Sequence, residues 1–180
     1  MTQKNLSVRP MREADFEYIV DYFLNAGKDF LGHMGVDTAK LPEKKEWTGL
    51  LENELLQKTE NKQLFYVIWL LDNKPVGHSN INKIIFSVEA NLHLHVWKAD
   101  NRKKGIGFEL IKMSLPYYFD NFQLKNLYCE PYALNPAPNK VLQKLGFEFI
   151  KQYETTPGWI NFHQPVNRWC MSYEKYQLLY

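Results

Sequence analysis

The sequence predicts a single α/β domain, residues 1–180, in which helices flank a mixed, mostly antiparallel sheet. One observation is the order of the hydrophobic patterns: a strand, two helices, three strands, a helix, a strand, a helix and two strands. Another is the length, because 180 residues suit one domain with its own core. A third is the composition, since 45% hydrophobic and 23% charged residues are globular usage and argue against disorder.

The N-terminal part is predicted to hold one strand and two helices. Asn5–Arg9 has the pattern of a short strand, which Pro10 ends. Glu13–Asn25 and Glu43–Thr59 have apolar residues at helical spacing, so each is expected to form a helix. Residues 27–42 show no clear period and are interpreted as a loop that can hold a helical turn.

A period of two then predicts three strands in succession. Gln63–Leu71 and Val76–Ile85 are rich in strand-forming residues, and the turn residues Asp72–Pro75 between them indicate a hairpin. Ala90–Trp97 alternates between apolar and polar residues, so its two faces differ sharply.

The C-terminal half is predicted to alternate helices and strands. Phe108–Phe119 has helical spacing, although Pro116 is expected to kink or shorten this helix. Gln123–Glu130 reads as a strand, and a helix is expected from Asn135–Pro136 to Gly146. Two last strands and the aromatic loop between them follow, namely Phe147–Thr155, Val166–Tyr173 and Pro157–Pro165.

Charge and cysteine usage exclude several classes of partner. A net charge of +2 is too small to indicate nucleic acid, and the longest apolar run, Leu64–Leu71, is too short to span a membrane. No secretory leader is visible at the N-terminus. Cys129 and Cys170 form no CxxC pair and are expected to be reduced thiols, which predicts a cytoplasmic protein.

Positive charge and glycine come together in a polar turn, Asn101–Gly107, between a predicted strand and a predicted helix. A helix N-terminus offers unpaired N–H groups, and glycine lets the backbone approach a bulky anion, so the turn suits a phosphate or pyrophosphate. No GK[ST] follows, and only two glycines are present, so the turn is neither a P-loop nor a dinucleotide fingerprint. A plain turn with solvated lysines is the alternative. Its central residues are Arg102, Lys103, Lys104, Gly105, Ile106 and Gly107.

A second motif, NPAPNKVLQKLGF from Asn135 to Phe147, follows at a plausible distance. With both motifs, the chain from about Leu6 to Tyr173 resembles the GNAT superfamily of acyl-CoA-dependent N-acyltransferases. It is most similar to the branch that acetylates the N-terminal alanine or serine of ribosomal proteins. The resemblance implies a GNAT-like mixed sheet with a central strand–helix–strand site for acetyl-CoA.

The resemblance also implies roles for individual residues. Residues 102–107 would hold the CoA pyrophosphate through their backbone N–H groups, and the backbone of Val96 and Trp97 would pair with the pantetheine arm. Asn135 would contact the pantetheine, although Asn before Pro is also a good helix cap. Asn139 is a further candidate for cofactor binding.

The chain departs from the family pattern where a general acid is often found. Pro138 and Leu142 occupy these two positions, and neither can protonate the departing CoA thiolate. Tyr132, Tyr128, Asn139 or a water molecule could take that role.

Candidate bases lie on and next to the polar face of the central strand. His93 and His95 are two residues apart, so both point to one side, and an imidazole can accept a proton near neutral pH. Glu130, at the end of the next strand, is the third candidate catalytic residue. The alternative for both histidines is a hydrogen-bonded place in the sheet. No spacing brings His78 or His163 in as a metal ligand, so no metal is expected.

The expected reaction moves an acetyl group from acetyl-CoA to a primary amine, either the α-amine of a peptide or protein or a small molecule. An α-amine loses its proton at neutral pH far more easily than a lysine, which suits a site with a poor acid–base set. Residues 27–42, the helix 43–59 and the loop 157–165, with Trp159 and Phe162, are expected to form the acceptor pocket. Two alternatives stay open: a non-catalytic CoA-binding sensor or scaffold, and an antibiotic or polyamine acetyltransferase. Edge strands near the C-terminus leave a homodimer open.

Overall fold

The computed structural model describes residues 5–98, 100 and 105–180, which hold seven strands and six α-helices. The strands are β1 Leu6–Pro10, β2 Leu64–Leu71, β3 Lys74–Ile85, β4 Glu89–Val96, β5 Asn126–Cys129, β6 Glu148–Thr155 and β7 Gln164–Ser172. The helices are α1 Phe16–Leu24, α2 Lys28–His33, α3 Lys44–Leu56, α4 Ile106–Phe122, α5 Pro136–Lys144 and α6 Tyr173–Gln177. Short 3-10 turns lie at Glu13–Asp15, Thr38–Lys40 and Thr59–Asn61. The mixed α/β architecture that the sequence predicts is confirmed.

One sheet contains all seven of these strands, in the order β1-β2-β3-β4-β5-β7-β6. Every neighbouring pair is antiparallel except β4 and β5, which run parallel. Their pairing covers only Glu89–Leu92 against Asn126–Cys129. Because β4 continues to Val96 and β5 ends at Cys129, the sheet opens between them at this end.

Two apolar cores lie on opposite faces of the sheet, and β2 contributes to both. Val67 and Trp69 join the core beneath α4, whereas Tyr66, Ile68 and Leu70 join the core beneath α1 and α3. A central strand buried on both faces reads as the nearly continuous apolar run seen in the sequence. The alternation of β4 is also confirmed, with Leu92 and Leu94 on the α4 side.

Helix α4 does not end at Pro116, which corrects the expectation of a shortened helix. It runs from Ile106 to Phe122. A proline removes the hydrogen bond to the carbonyl four residues earlier, here that of Lys112. The Tyr180 hydroxyl donates to this carbonyl. The C-terminal residue therefore satisfies the acceptor that proline leaves open, and the helix continues.

Local patterns misplaced several other boundaries. Residues 27–42 hold α2 and a 3-10 turn, which their pattern hides because α2 is short and buries only Leu31. Strand β5 starts at Asn126 because Gln123 caps α4 in the left-handed region. Tyr173 begins α6 instead of ending the last strand, since the Ser172 hydroxyl caps that helix. In the part of the chain described, no helix is both long enough and apolar enough to cross a bilayer.

Candidate active site

A cleft of about 640 Å³ opens where β4 and β5 part. One side is lined by the ends of these strands and by the beginnings of α4 and α5. The other side is lined by α1, α2, α3 and the loop before β7. The cleft thus runs from the glycine turn to the aromatic side of the sheet.

Gly105 and Gly107 lie at the glycine-turn end of the cleft. Gly105 precedes α4 with a φ of +75°, a backbone conformation that glycine adopts without strain. Among the described residues, no atom of another segment lies within 4 Å of a Cβ built on Gly105 or Gly107. Ile106, between them, is buried in the core beneath α4. The predicted residues Arg102, Lys103 and Lys104 lie outside the described residues.

This end of the cleft fits a CoA pyrophosphate. The first N–H groups of α4 have no partner within the helix and carry its positive dipole end. Two glycines without neighbours at their Cβ positions allow a bulky anion to approach the backbone closely. The prediction that residues 105–107 bind the cofactor is therefore compatible with the space available.

Val96 and Trp97 lie at the end of β4. Val96 lines the cleft, where the pantetheine arm is predicted. The Trp97 backbone N–H donates to Val76 O at 2.9 Å. Its indole Nε1–H donates to His78 Nδ1 at 2.8 Å, and its ring stacks on Tyr18. The indole of Trp97 is therefore packed on the α1 side of the sheet.

Asn135 and Asn139 lie at the start of α5 and differ in their surroundings. Asn135 lines the cleft and caps the helix, its Oδ1 accepting from Ala137 N at 3.3 Å. Asn139 connects α5 to β7, since its Oδ1 accepts from Asn167 Nδ2 at 2.9 Å and Trp169 Nε1 at 2.8 Å. Its Nδ2 donates to the Asn135 carbonyl at 2.8 Å. The Asn139 amide thus already has protein partners on both of its polar atoms.

His95 lies opposite His78, a residue for which the sequence supplied no functional reading. The two are direct cross-strand partners, with ring centroids 4.8 Å apart. His78 is buried, and burial lowers its pKa well below the ordinary histidine value, with the neighbouring histidines adding to the effect. His78 therefore stays neutral, and because Nδ1 accepts from Trp97, its proton lies on Nε2.

The ring of His95 also contacts the rings of α1. Its centroid lies 5.1 Å from that of Phe23 and 5.5 Å from that of Tyr22. His95 lines the cleft, so the strand end and the aromatic side meet at this imidazole. Only the register of β3 against β4 could have placed His78 beside it, and a single sequence does not give that register.

His93 points to the same side but is held differently. Its Nε2 is hydrogen-bonded to Asn82 Oδ1 at 3.1 Å. Burial, with a smaller effect from the charge of Lys83, lowers the pKa of His93 to about 4, and Glu130 opposes the shift. His93 is therefore neutral at pH 7 and is a weaker proton acceptor than an exposed histidine.

The Glu130 carboxylate lines the cleft but is already paired. Arg168 Nη1 donates to Glu130 Oε1 at 2.5 Å, and the Tyr153 hydroxyl donates to the same oxygen at 2.5 Å. The Glu130 side chain is only 5% exposed. Arg168 in turn lies over the Tyr128 ring, 4.0 Å from its centroid. The predicted base Glu130 therefore sits in an ion pair that β6 and β7 supply.

The residues at or near the family's acid positions differ in whether they line the cleft. Pro138 lines the cleft, and Leu142 is buried in the core. Of the three side chains predicted to substitute, only Tyr132 lines the cleft, because Tyr128 is stacked under a guanidinium and Asn139 is fully bonded. Tyr132 also bridges to Val166 in β7, which fixes its backbone.

The predicted acceptor wall is assembled from two distant segments. Val36 and Asn161 form an isolated bridge, and Asp37 N donates to Ile160 O at 2.8 Å. The Gly35 carbonyl, where the chain turns with a φ of +78°, accepts from Asn161 Nδ2 at 2.9 Å. The loops 27–42 and 157–165 therefore lie together, as expected, and Trp159 is 50% exposed at the rim.

Within residues 5–98, 100 and 105–180, no three histidine, cysteine or acidic side chains come together in a way that could hold a metal ion. Cys129 is buried and its Sγ donates to Leu92 O at 3.0 Å, and burial raises the pKa of its thiol.

Strands β4 and β5 run parallel, part over the cleft and are joined by α4, which begins after Gly105. This is the strand–helix–strand arrangement that the resemblance to the acyl-CoA-dependent N-acyltransferases implies. Family comparison agrees, since the acetyltransferase (GNAT) domain matches residues 5–148. The chain belongs to the GNAT acetyltransferase family and is accordingly an acetyl-CoA-dependent N-acetyltransferase. No curated protein sequence matches it.

Solved structures of similar fold include enzymes with different acceptors. RimL, a ribosomal L7/L12 alpha-N-protein acetyltransferase in complex with coenzyme A, is 13% identical over 93% of each chain, with a TM-score of 0.74. Spermidine N-acetyltransferase from Vibrio cholerae, in complex with CoA and spermine, is 16% identical over 96% of this chain and 98% of that one, with a TM-score of 0.77. The aminoglycoside acetyltransferase AAC(6')-Ib, in complex with coenzyme A, is 13% identical over 97% and 98%, with a TM-score of 0.72. At these identities the likeness concerns the fold.

Proposed function

We propose that this enzyme transfers the acetyl group of acetyl-CoA to a primary amine held beside His95, an α-amine of a peptide or a small-molecule amine. The observation that carries the proposal is the continuous cleft, which joins the glycine turn to the His95 ring. Solved relatives bind coenzyme A, and one of them acts on a protein α-amine. A cytoplasmic location and a homodimer stay predictions.

Acetyl-CoA supplies an activated thioester, and this chain's residues align it and move protons. The backbone at residues 105–107 and the end of β4 would hold the coenzyme. Asn135, which lines the cleft, would border its pantetheine arm. His95 would take the proton from the amine, directly or through water. An α-amine loses that proton at pH 7 for about 1.2 kcal/mol, against about 4.6 kcal/mol for a lysine.

His95 is proposed as the base because its ring lines the cleft between the end of β4 and the aromatic side. Glu130 is ion-paired with Arg168 at 2.5 Å, and the pKa of His93 is lowered to about 4. Tyr132, which lines the cleft, is the candidate acid that would protonate the CoA thiolate. A free thiol has a pKa of about 8.5, so the thiolate is a fair leaving group and this acid is helpful rather than essential.

Thermal shift and thiol release together test this proposal. Acetyl-CoA is expected to raise the melting temperature, and thiol release is expected to rise when a suitable primary amine is added. A thermal shift without amine-dependent release across peptide amides, small amines, polyamines and aminoglycosides would instead favour a non-catalytic CoA-binding protein. No shift at millimolar acetyl-CoA would contradict the assigned coenzyme site.

A further inference from the structure

Aromatic rings form a continuous path from the surface to His95. Trp159 is half exposed at the rim and lies 5.8 Å from Trp47, centroid to centroid. Trp47 lies 5.1 Å from Phe23, and Phe23 lies 5.1 Å from His95. All four residues line the cleft. Phe23 and Trp47 are each only 3% exposed, so the wall presents the edges of packed rings, and Trp159 presents the largest free ring surface of the three.

The same wall offers almost no charge to an acceptor. Among the described residues that line the cleft, Glu130 carries the only carboxylate, and it is already paired with Arg168. The α1 acids Glu17 and Asp21 do not line the cleft, and Lys44 Nζ lies 3.1 Å from Glu17 and 3.0 Å from Asp21. A second or third ammonium group on the acceptor would lose its water without gaining a counter-charge, which costs several kcal/mol.

We propose that the acceptor is a monoamine whose carbon skeleton carries an aromatic or large apolar group, which packs against Phe23, Trp47 and Trp159. This inference rests on the proposed function, because it names the substrate class of the same site. A phenyl group buried in such a wall contributes to binding, whereas a polyamine or an aminoglycoside brings charges that the wall does not match. The shared chemistry has two sources, a free arylalkylamine or an N-terminal residue such as Phe or Leu.

Matched pairs of acceptors separate the contribution of the ring from that of the amine. Phenylalaninamide is compared with alaninamide, 2-phenylethylamine with ethylamine, and spermidine serves as the polycation, with thiol release from acetyl-CoA as the readout. Burial of a phenyl group is worth about 1.5–3 kcal/mol, so the ring is expected to raise kcat/KM by about tenfold or more in at least one pair. A ring effect confined to the amide pair identifies peptide N-termini as the source, and one in the amine pair identifies small amines.

Three outcomes would overturn the inference. If alaninamide and ethylamine equal their aromatic partners, or spermidine exceeds both, the transferase stands and the substrate class is wrong. If acetyl-CoA raises the melting temperature but no amine releases thiol, the proposed function fails and the inference fails with it.

A variant of Trp159 at the rim gives an independent test, because this half-exposed side chain can be removed without opening the core. Trp159→Ala is expected to raise KM for the aromatic acceptor by about three- to tenfold, because one ring contact is worth about 0.5–1.5 kcal/mol. KM for the small acceptor and for acetyl-CoA should not change. Ile150→Ala, on the exposed edge strand β6, is the control and should leave every constant unchanged. An equal loss for large and small acceptors in Trp159→Ala would contradict the inference.

Discussion

His78 and His95 face each other across β3 and β4, with their rings 4.8 Å apart. The Trp97 indole donates to His78 Nδ1, and burial keeps His78 neutral. A neutral neighbour imposes no full positive charge on His95, which lines the cleft where the acceptor amine is proposed to bind. The packed pair also fixes the orientation of that ring in the cleft.

Replacement of His95 by glutamine is expected to lower kcat by about 10²–10⁴-fold, because this is the usual contribution of a general base. KM for acetyl-CoA should stay within about twofold, since its pyrophosphate is proposed to bind at residues 105–107, away from the His95 ring. Initial rates at saturating acetyl-CoA measure both constants.

Two control variants make the His95 result specific. His163→Gln changes a histidine that is 67% exposed beside Glu154, and it should retain full activity. Glu130→Gln removes the paired carboxylate and should cost stability by about 1–3 kcal/mol while kcat falls much less than in His95→Gln. A larger kcat loss in Glu130→Gln than in His95→Gln would make Glu130 the base.

Tyr132→Phe is expected to lower kcat by about tenfold if the phenol protonates the CoA thiolate. The ring remains, so its edge contact with Phe162, at 6.1 Å between centroids, is kept and the fold should be unchanged. An acyl donor with a more acidic thiol needs less help from an acid, so it should restore the variant's rate. An unchanged kcat with acetyl-CoA would leave water as the proton donor.

Gly107→Ala is expected to separate stability from coenzyme affinity. A helical alanine is more favourable than glycine by up to about 1 kcal/mol, and the new Cβ has open space, so the unfolding free energy should rise or stay constant. The same methyl group enters the space where the diphosphate approaches, so acetyl-CoA should bind about tenfold more weakly or worse. Isothermal titration and urea unfolding measure the two quantities.

Gly49→Ala is the matched control for this variant, because Gly49 lies within α3 and its Cβ would also meet no neighbour. It should stabilise the protein without changing acetyl-CoA affinity. Equal affinities in Gly107→Ala and the wild type would remove the pyrophosphate assignment from this end of the cleft.

The lowered pKa of His93 predicts a loss of stability in acid. Its pKa is about 4 in the folded protein and about 6.5 when unfolded, so the unfolded chain binds more protons between these values. The contribution of neutral His93 to the free energy of unfolding is therefore fully present above about pH 6.5. It is lost as the pH drops towards 4, by at most about 1.4 kcal/mol per pH unit. Buried His78 acts in the same direction.

Urea unfolding at about pH 7 and about pH 5 measures this loss in the wild type and in His93→Gln, which keeps an amide donor for Asn82. The variant should lose less stability between the two pH values, with the remainder due to His78. Equal losses in the two proteins would show that His93 is not desolvated as described.

Much of the fold was readable from the sequence because its signals are local. The alternation of 90–97 predicted β4 to within one residue. Asp72 and Asn73 predicted the hairpin turn, and they adopt the positive φ values of 51° and 62° that such residues tolerate. Asn135 before Pro136 predicted the start of α5, where its side chain caps the helix.

The hydrogen-bond and ion-pair partners of the candidate residues could not be predicted from the sequence, because distant strands supply them. Arg168 on β7 and Tyr153 on β6 donate hydrogen bonds to the Glu130 carboxylate, and no local sequence pattern predicts these contacts. Trp169 and Asn167 similarly engage Asn139 across 30 and 28 residues. The glycine turn, in contrast, is one local segment, so the sequence alone could suggest it as a pyrophosphate site, and that assignment stays a prediction.

The join between the two rim loops has a consequence for how the enzyme is made. Gly35 and Asn161, which it brings together, lie 126 residues apart. Strand β4 and helices α4 and α5, which line the proposed coenzyme end of the cleft, are complete by Lys144. A chain emerging from the ribosome therefore contains these segments before Asn161, which closes the join between the rim loops, has been synthesised.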